Sequence, residues 1–366
     1  MTCGGTGGHI NPAIAIANTI KNNLPDAEFL FVGTKRGKEG ELVPMEGYEI
    51  RFVESRGIRR SLSLSNIKAI YTALVSPYKA KPILKEFKPD VVIGTGGYAC
   101  WPILRAASMM KIPCAVHESN AKAGMAVKRL QNHVDKILVN FEKTKEELKR
   151  KDKVVTVGNP LRSAFSHVEK ASAREQLGIP RDALYVLSYG GSGGAEFLNE
   201  IMVSVMAEFS EKHPEVLLEH AAGSRDFAPT KEKFAKLGLG EKKNLCLKEY
   251  IFDMPLRMAA ADLVICRAGA MTVSELAMMG KAAILIPSPN VVDNHQYMNA
   301  KVLADAGAAC LLEEATLTPS LLAQNIEYYL YRGNERQRME LLVKDFADPD
   351  ANRRIFDEIL ALAKKK

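Results

Sequence analysis

Glycine-rich turns carry the first chemical signal in this chain of 366 residues. Three of them close apolar runs: Gly4-Gly5-Thr6-Gly7-Gly8-His9, Gly94-Thr95-Gly96-Gly97-Tyr98 and Gly190-Gly191-Ser192-Gly193-Gly194-Ala195. Glycine admits positive φ and lets a phosphate or sugar approach the main chain with no Cβ in the way. Each turn runs into a predicted helix, whose unpaired N–H groups and positive dipole end favour an anion. Together they point to a phosphorylated ligand, with Thr6, Ser192 and His9 as the polar side chains at hand. A further strand-to-helix turn, Arg267-Ala268-Gly269-Ala270-Met271-Thr272-Val273-Ser274-Glu275, places a carboxylate in the first turns of a helix. Glu275 there suits both hydroxyls of a ribose whose phosphates lie at the helix start. As Thr272-x-x-Glu275 it also fits a capping box, and both readings stand. A second polar cluster follows, Asp293-Asn294-His295-Gln296-Tyr297-Met298-Asn299. Dinucleotide chemistry is excluded: the first turn lacks the third glycine of G-x-G-x-x-G, and Gly33-Thr34-Lys35-Arg36 stands where the ribose-binding acid belongs. No turn ends in the G-K-[ST] of a P-loop.

Short apolar runs alternating with longer helical patterns must position these turns. Expected strands are Phe29–Val32, Ile50–Val53, Val91–Ile93, Cys114–His117, Lys136–Val139, Val154–Val157, Tyr185–Tyr189, Leu217–Ala221, Leu245–Lys248, Leu263–Cys266 and Ala283–Pro287. Most are continuous apolar runs, as parallel strands covered on both faces require. Thr144–Lys151, Ser172–Leu177 and Val273–Met279 are among the expected helices, and Pro12 suits the first turn of the helix after His9. The alternation implies doubly wound parallel α/β sheets, whose ligands bind beyond the carboxyl ends of the strands. The length exceeds one core of typical size, so two domains are expected, with a seam at Val157-Gly158-Asn159-Pro160-Leu161-Arg162. Asp348-Pro349-Asp350 precedes a final amphipathic stretch; such a pair binds metal in some sugar transferases, but before a helix it reads as a cap.

The composition is that of a soluble globular α/β protein, with no apolar stretch long enough to span a bilayer and no secretory signal pattern. Six scattered cysteines without C-x-x-C spacing read as small buried residues in a reducing compartment. The net charge of +7 is uneven: residues 1–157 hold 25 Lys and Arg against 15 Asp and Glu. Within them, residues 56–88 carry Arg56, Arg59, Arg60, Lys68, Lys79, Lys81, Lys85 and Lys88 against the single acid Glu86. Leu64, Ile67, Ile70, Tyr71, Leu74, Val75 and Tyr78 recur there at helical spacing. Apolar residues flanked by basic ones suit an anionic membrane surface, although part of the stripe must face the domain's own core.

Taken in order, Gly4–His9, Gly94–Tyr98, His117-Glu118-Ser119-Asn120, Gly158–Arg162, Gly190–Ala195, Ala270–Glu275 and His295-Gln296-Tyr297-x-Asn299 resemble the peptidoglycan N-acetylglucosaminyltransferases of glycosyltransferase family 28 over essentially the whole chain. The resemblance implies a GT-B fold, two Rossmann-like domains facing across a cleft. Residues 1–158 and 345–366 would form the acceptor- and membrane-facing domain, and 163–344 the UDP-GlcNAc-binding domain. It implies inverting transfer of GlcNAc from UDP-GlcNAc to the C4 hydroxyl of MurNAc in lipid I, giving lipid II and UDP, at the cytoplasmic face of the bacterial membrane. The implied donor residues are Thr6, Gly7, Gly8, Asn120, Arg162, Ser192, Ile251, Ala270, Met271, Thr272, Val273, Ser274, Glu275 and Gln296, with the Ile251 backbone reading uracil and Glu275 holding the ribose. His9, Tyr98, Glu118 and Asn120 are implied on the acceptor side. His9 is the best base by type, because free imidazole titrates near neutrality, with Glu118 as competitor or orienting partner. Gly193 departs from the Gln many members carry, His295 from the first of a Gln-Gln pair, and Ala282 from a usual Pro.

No metal ligand set or other cofactor is visible: H-E-x-x-H and cysteine clusters are lacking, and helix N-termini with Arg162 or Ser192 would serve the leaving diphosphate. Expected partners are the two substrates, the anionic inner-leaflet surface through residues 56–88, and other cell-wall enzymes, with no nucleic acid. Rival readings are another UDP-sugar enzyme of the same fold, such as a 2-epimerase, and a catalytically impaired scaffold; the presence of His9, Arg162, Glu275 and Gln296 argues against the scaffold. Only Met1-Thr2-Cys3 precede the first turn, where a strand of about five residues is usual, so a shortened first strand is expected.

Overall fold

The computed structural model describes residues 1–5, 7–55 and 64–364, with the backbone alone for 64–70 and for Val292. Thr6 and residues 56–63 of the basic segment lie outside the described residues. The chain forms two compact units, Met1–Leu161 with Asp348–Lys366, and Arg162–Ala347.

In the first unit the strands are β1 (Leu30–Gly33), β2 (Glu49–Phe52), β3 (Val92–Gly94), β4 (Cys114–Glu118), β5 (Lys136–Val139) and β6 (Val154–Thr156). All pair in parallel. Thr2 bridges β1 and β3: its N–H donates to the Ile93 carbonyl at 2.7 Å, and its own carbonyl accepts from Thr95 N–H at 3.1 Å. The spatial order is therefore β2-β1-Thr2-β3-β4-β5-β6. Strand order reverses between Thr2 and β3, the switch point at which doubly wound sheets bind ligands. The turns Gly4–His9 and Gly94–Tyr98 emerge there. The first runs into α1 (Gly7–Asn23), so Pro12 falls in the second turn of that helix and not in its first. One face of α1 packs Ile10, Ile14 and Ala17 on Phe31, Val43 and Tyr48. Its other face joins Ile93, Ala115 and Leu138 with Ile355, Ile359 and Leu362 of the C-terminal helix Ala351–Ala363. Helices α2 (Glu39–Met45), α3 (Leu64–Phe87), α4 (Cys100–Met109) and α5 (Met125–Leu130) complete the unit.

One expected helix is corrected. Thr144–Lys151 forms short 3-10 turns at Glu142–Glu147 and Lys151–Lys153. The Thr144 hydroxyl lies 3.2 Å from both the Asn120 and Ala121 carbonyls, and Gln131 Oε1 accepts from the N–H groups of Lys149 and Arg150. Side chains from elsewhere thus take the amides a helix would have used.

The second unit holds β7 (Leu184–Tyr189), β8 (Val216–Ala221), β9 (Leu245–Lys248), β10 (Leu263–Cys266), β11 (Ala283–Leu285) and the two-residue β12 (Cys310–Leu311). Their order is β12-β11-β10-β7-β8-β9, again parallel throughout and again reversing once, between β7 and β10. Helices α6 (Lys170–Leu177), α7 (Glu196–Lys212), α8 (Phe227–Lys236), α9 (Met254–Ala260), α10 (Ala270–Met279), α11 (His295–Asp305), α12 (Pro319–Tyr331) and α13 (Gly333–Lys344) cover it. Met202, Val205 and Met206 of α7 share a core with Leu263, Ile284 and Leu322. The turns Gly190–Ala195 and Arg267–Gly269 leave the sheet side by side at its switch point.

Candidate functional sites

The first unit presses two glycine turns together. Gly96 and Gly97 have φ of +108° and +84°, and a Cβ on Gly97 would collide with the Gly4 carbonyl. A Cβ on Gly96 would stand 2.8 Å from His9 Nε2, so the bare backbone of the second turn walls the imidazole of the first. The Thr95 hydroxyl donates to the His9 carbonyl at 2.6 Å. His9 Nδ1 lies 3.2 Å from the Gly4 carbonyl oxygen. A carbonyl only accepts, so this contact requires the proton on Nδ1 and leaves the lone pair on Nε2. Tyr98 is exposed, and its carbonyl accepts from the Ser55 hydroxyl.

Beneath the first turn lies a group that motif reading missed. Glu39, fully buried, accepts from Gly5 N–H at 3.0 Å and from both the N–H and the hydroxyl of Thr34 at 2.8 Å. It follows β1 at the sheet edge where a dinucleotide fold keeps its ribose acid, but it points inward. The Gly5 amide is therefore engaged by an internal carboxylate and not open to a phosphate, a correction to reading every amide of the first turn as part of a phosphate cradle. The only sequence trace was the spacing Gly33-Thr34-x-x-Gly37-x-Glu39, whose meaning depends on Gly4 lying alongside.

Glu118, at the end of β4, is likewise buried and saturated. It accepts from the backbone and side-chain N–H groups of Asn120, each at 3.0 Å, and from Gly124 N–H at 2.7 Å. Its neighbour His117 contacts the Gly158 carbonyl through Nε2 at 2.9 Å, and burial lowers its pKa to about 4. His117 is thus a neutral brace between β4 and the seam.

In the second unit a buried chain supports the third turn. The Ser188 hydroxyl meets His220 Nδ1 at 3.0 Å, His220 Nε2 meets Asn199 Oδ1 at 2.9 Å, and Asn199 Nδ2 donates to the Ala222 carbonyl at 3.0 Å. That carbonyl abuts Gly194 (φ +91°), where a Cβ would also meet Asp226 at 2.6 Å. A Cβ on Gly193 would meet nothing within 4 Å. The carbonyl of Ser192 accepts from Ser224.

Beside this turn, α10 starts after Gly269, which makes no side-chain cap. Thr272 is then its third residue and Glu275 its sixth, so the capping-box reading of that pair falls. Glu275 is held by burial at a pKa of about 7, and the Arg162 guanidinium opposes that rise. Arg162 itself is exposed and lies 5.5 Å from the centre of the Phe165 ring. Ala270, Met271 and Val273 turn their side chains into the core, Thr272 and Ser274 are half-buried, and Ile251 is buried after β9. Gln296 Oε1 accepts from Ser288 N–H at 2.9 Å, and Asn299 Nδ2 donates to the Ala268 carbonyl at 3.1 Å. The two polar motifs of the second half are thus tied into one constellation. Asp293 and Asn294 sit in the left-handed region at φ +54° and +53°, a strain that sets the entry into α11. A cavity of about 310 Å³ opens next to them, between Phe197, Pro287, Tyr297 and Glu313.

Among the described residues no three His, Cys, Asp or Glu side chains gather as a metal ion would need, and no helix is long and apolar enough to cross a membrane.

Residues 1–139 match the glycosyltransferase family 28 N-terminal domain, and residues 185–355 the family 28 C-terminal domain. A protein of Acetivibrio thermocellus named UDP-N-acetylglucosamine--N-acetylmuramyl-(pentapeptide) pyrophosphoryl-undecaprenol N-acetylglucosamine transferase is 43% identical, over 99% of this chain and 97% of its own length. The crystal structure of Acinetobacter baumannii MurG superposes with a TM-score of 0.75 at 30% identity, covering 99% of this chain and 98% of that one. A structure of a putative UDP-N-acetylglucosamine 2-epimerase from Listeria monocytogenes reaches a TM-score of 0.70 at 16% identity, covering 100% and 96% of the two chains; it shares the fold alone.

Proposed function

Because this chain belongs to glycosyltransferase family 28, we propose that it transfers GlcNAc from UDP-GlcNAc to the C4 hydroxyl of MurNAc in lipid I, with inversion, releasing lipid II and UDP. The observation that carries this reading is the 43% identity, along the whole chain, to a relative named for that transfer.

The second unit binds the donor. The ribose hydroxyls donate to Glu275, the Ile251 backbone reads the uracil, and Ala270 to Ser274 present the start of α10 to the diphosphate with Ser192 of the third turn. A helix N-terminus contributes about 0.3–1 kcal/mol toward such an anion, and up to ~2 when partly buried. Preorganised donors aimed at developing charge add about 3–4 kcal/mol each, the role given to Arg162 and Ser192. With its oxygen engaged by Ser288, Gln296 offers its NH2 to a sugar oxygen.

The first unit binds the acceptor near Tyr98 and Asn120, with Thr6, Gly7, Gly8 and Asn120 assigned to the sugar–phosphate end of the donor. His9 takes the C4 hydroxyl proton on Nε2 as that oxygen attacks the anomeric carbon and UDP departs. Glu118 orients and does not act as base, because its carboxylate already accepts three N–H bonds that aim Asn120. The protein works as a peripheral enzyme on the cytoplasmic face of the bacterial membrane, where α3 turns Tyr71, Leu74 and Tyr78 outward among Lys79 and Lys85.

Incubation with radiolabelled UDP-GlcNAc and lipid I tests the reading. Label enters lipid II with intact protein; His9→Ala abolishes turnover and still binds UDP. Intact protein that incorporates no label overturns the assignment.

A further inference from the structure

We propose that Glu39 is a positioning residue that acts on His9 through the single peptide group joining Gly4 to Gly5. This rests on His9 being the base of the proposed transfer. The Gly4 carbonyl faces His9 Nδ1 at 3.2 Å, and the Gly5 N–H of that same peptide group donates to Glu39 Oε2 at 3.0 Å. A peptide unit is planar and turns as one body, so fixing its N–H end fixes its carbonyl end. The carboxylate is fixed in turn by the N–H and hydroxyl of Thr34 on Oε1.

The fold has cleared space for this arrangement. A Cβ on Gly4 would lie 2.9 Å from Glu39 Oε1, one on Gly33 would lie 2.5 Å from its Cγ, and one on Gly37 would run into the carboxylate. Three glycines from two separate stretches of chain therefore admit one buried acid beneath the turn that ends in His9. A buried charge survives only when its oxygens are bonded, and here three donors do that.

The chemical consequence follows from hydrogen-bond cooperativity. An anion accepting from a peptide N–H polarises the group and makes its carbonyl a better acceptor. The Gly4 oxygen then holds the Nδ1–H tautomer more firmly and raises the basicity of Nε2. Glu39 thus serves His9 as a carboxylate serves a directly bonded histidine, with one peptide group interposed. Other titratable groups about the turn are Cys3 and Cys100, both raised by burial, the Cys100 thiol to about 12, and Tyr98 on the facing turn. Lys35, Arg36 and Lys38 stand on the same segment as Glu39.

Glu39→Gln in the full-length protein is the test, read as kcat and KM for UDP-GlcNAc across pH 5.5–9 with lipid I as acceptor. The expected result is a fall in kcat of about tenfold or more, KM for UDP-GlcNAc within about twofold, and an acid limb displaced downward by about half a pH unit. An unmoved acid limb with kcat within twofold of the intact protein overturns the proposal. Nitrogen-15 NMR of histidine-labelled intact protein, assigned with His9→Gln, needs no variant of Glu39 that folds. It should show His9 protonated on Nδ1, and the Nε2–H tautomer overturns the relay. Intact protein that transfers no GlcNAc would instead remove the assigned reaction, an outcome separate from either.

Discussion

Three acids of this chain show how surroundings decide what a carboxylate does. Glu39 and Glu118 each accept three hydrogen bonds, from N–H groups and, for Glu39, the Thr34 hydroxyl, and organise loops. Glu275 is half-buried; desolvation raises its pKa to about 7 against an ordinary 4.5, and the nearby Arg162 charge opposes that rise. A raised folded-state value means the contribution to stability is fully present below about 4.5 and lost as pH rises through about 7. A ribose diol donates best to the ionised form, so donor binding must expel the proton below that point. UDP-GlcNAc affinity should therefore climb by up to about tenfold per pH unit between pH 5.5 and 7 and level off above. Calorimetric titration with UDP-GlcNAc, whose diphosphate does not itself titrate in that window, reads the slope. Glu275→Gln should flatten it; a slope that persists in the variant would mean another group carries the proton.

Among elements, the strands were the most legible, because continuous apolar runs such as Leu263–Cys266 admit little else between turns. The two-residue β12 escaped notice, being too short to carry a pattern. Thr144–Lys151 misled, since its helical spacing says nothing of Gln131 capturing its amides. The glycine turns were visible as motifs, but what supports them was not: Glu39 under the first and the His220 network under the third come from residues far off in sequence. The third turn also separates two glycines that look alike in sequence. Gly194 has φ +91° and is hemmed in by the Ala222 carbonyl and Asp226, whereas Gly193 faces open space. Gly194→Ala should lower stability by about 1–3 kcal/mol, from backbone strain and the collision together. Gly193→Gln should stay within about 0.5 kcal/mol of the parent in the same denaturant titration. It should also lower KM for UDP-GlcNAc, because a side-chain amide is restored next to the diphosphate. Equal melting of Gly194→Ala and the parent would show that the turn can shift to admit a Cβ.

At the scale of the molecule, two doubly wound sheets carry unlike surfaces. The excess of basic residues falls within the first 157, and α3 carries four of them, Lys68, Lys79, Lys81 and Lys85, against the single acid Glu86. That helix divides its apolar residues: Ala80 and Leu84 enter the core, while Tyr71, Leu74 and Tyr78 stay 62–66% exposed. Spacing of i, i+3 and i+7 places the three on one face, with Lys79 and Lys85 exposed on the same helix. The basic residues Arg56, Arg59 and Arg60 lie outside the described residues, and so do the side chains of Leu64, Ile67, Lys68 and Ile70. Full burial of one such apolar side chain contributes about 1.5–3 kcal/mol, and each basic residue near an anionic surface about 1 kcal/mol. Replacing all three outward residues by serine should cut binding to phosphatidylglycerol vesicles by at least about tenfold, even if each inserts only in part. Raising the salt should weaken the parent's binding, because the lysine contribution is screened. UDP-GlcNAc affinity should not move, since no group assigned to the donor belongs to α3. Co-sedimentation with vesicles separates the outcomes: a variant that still pellets like the parent would mean this face of α3 does not meet the bilayer.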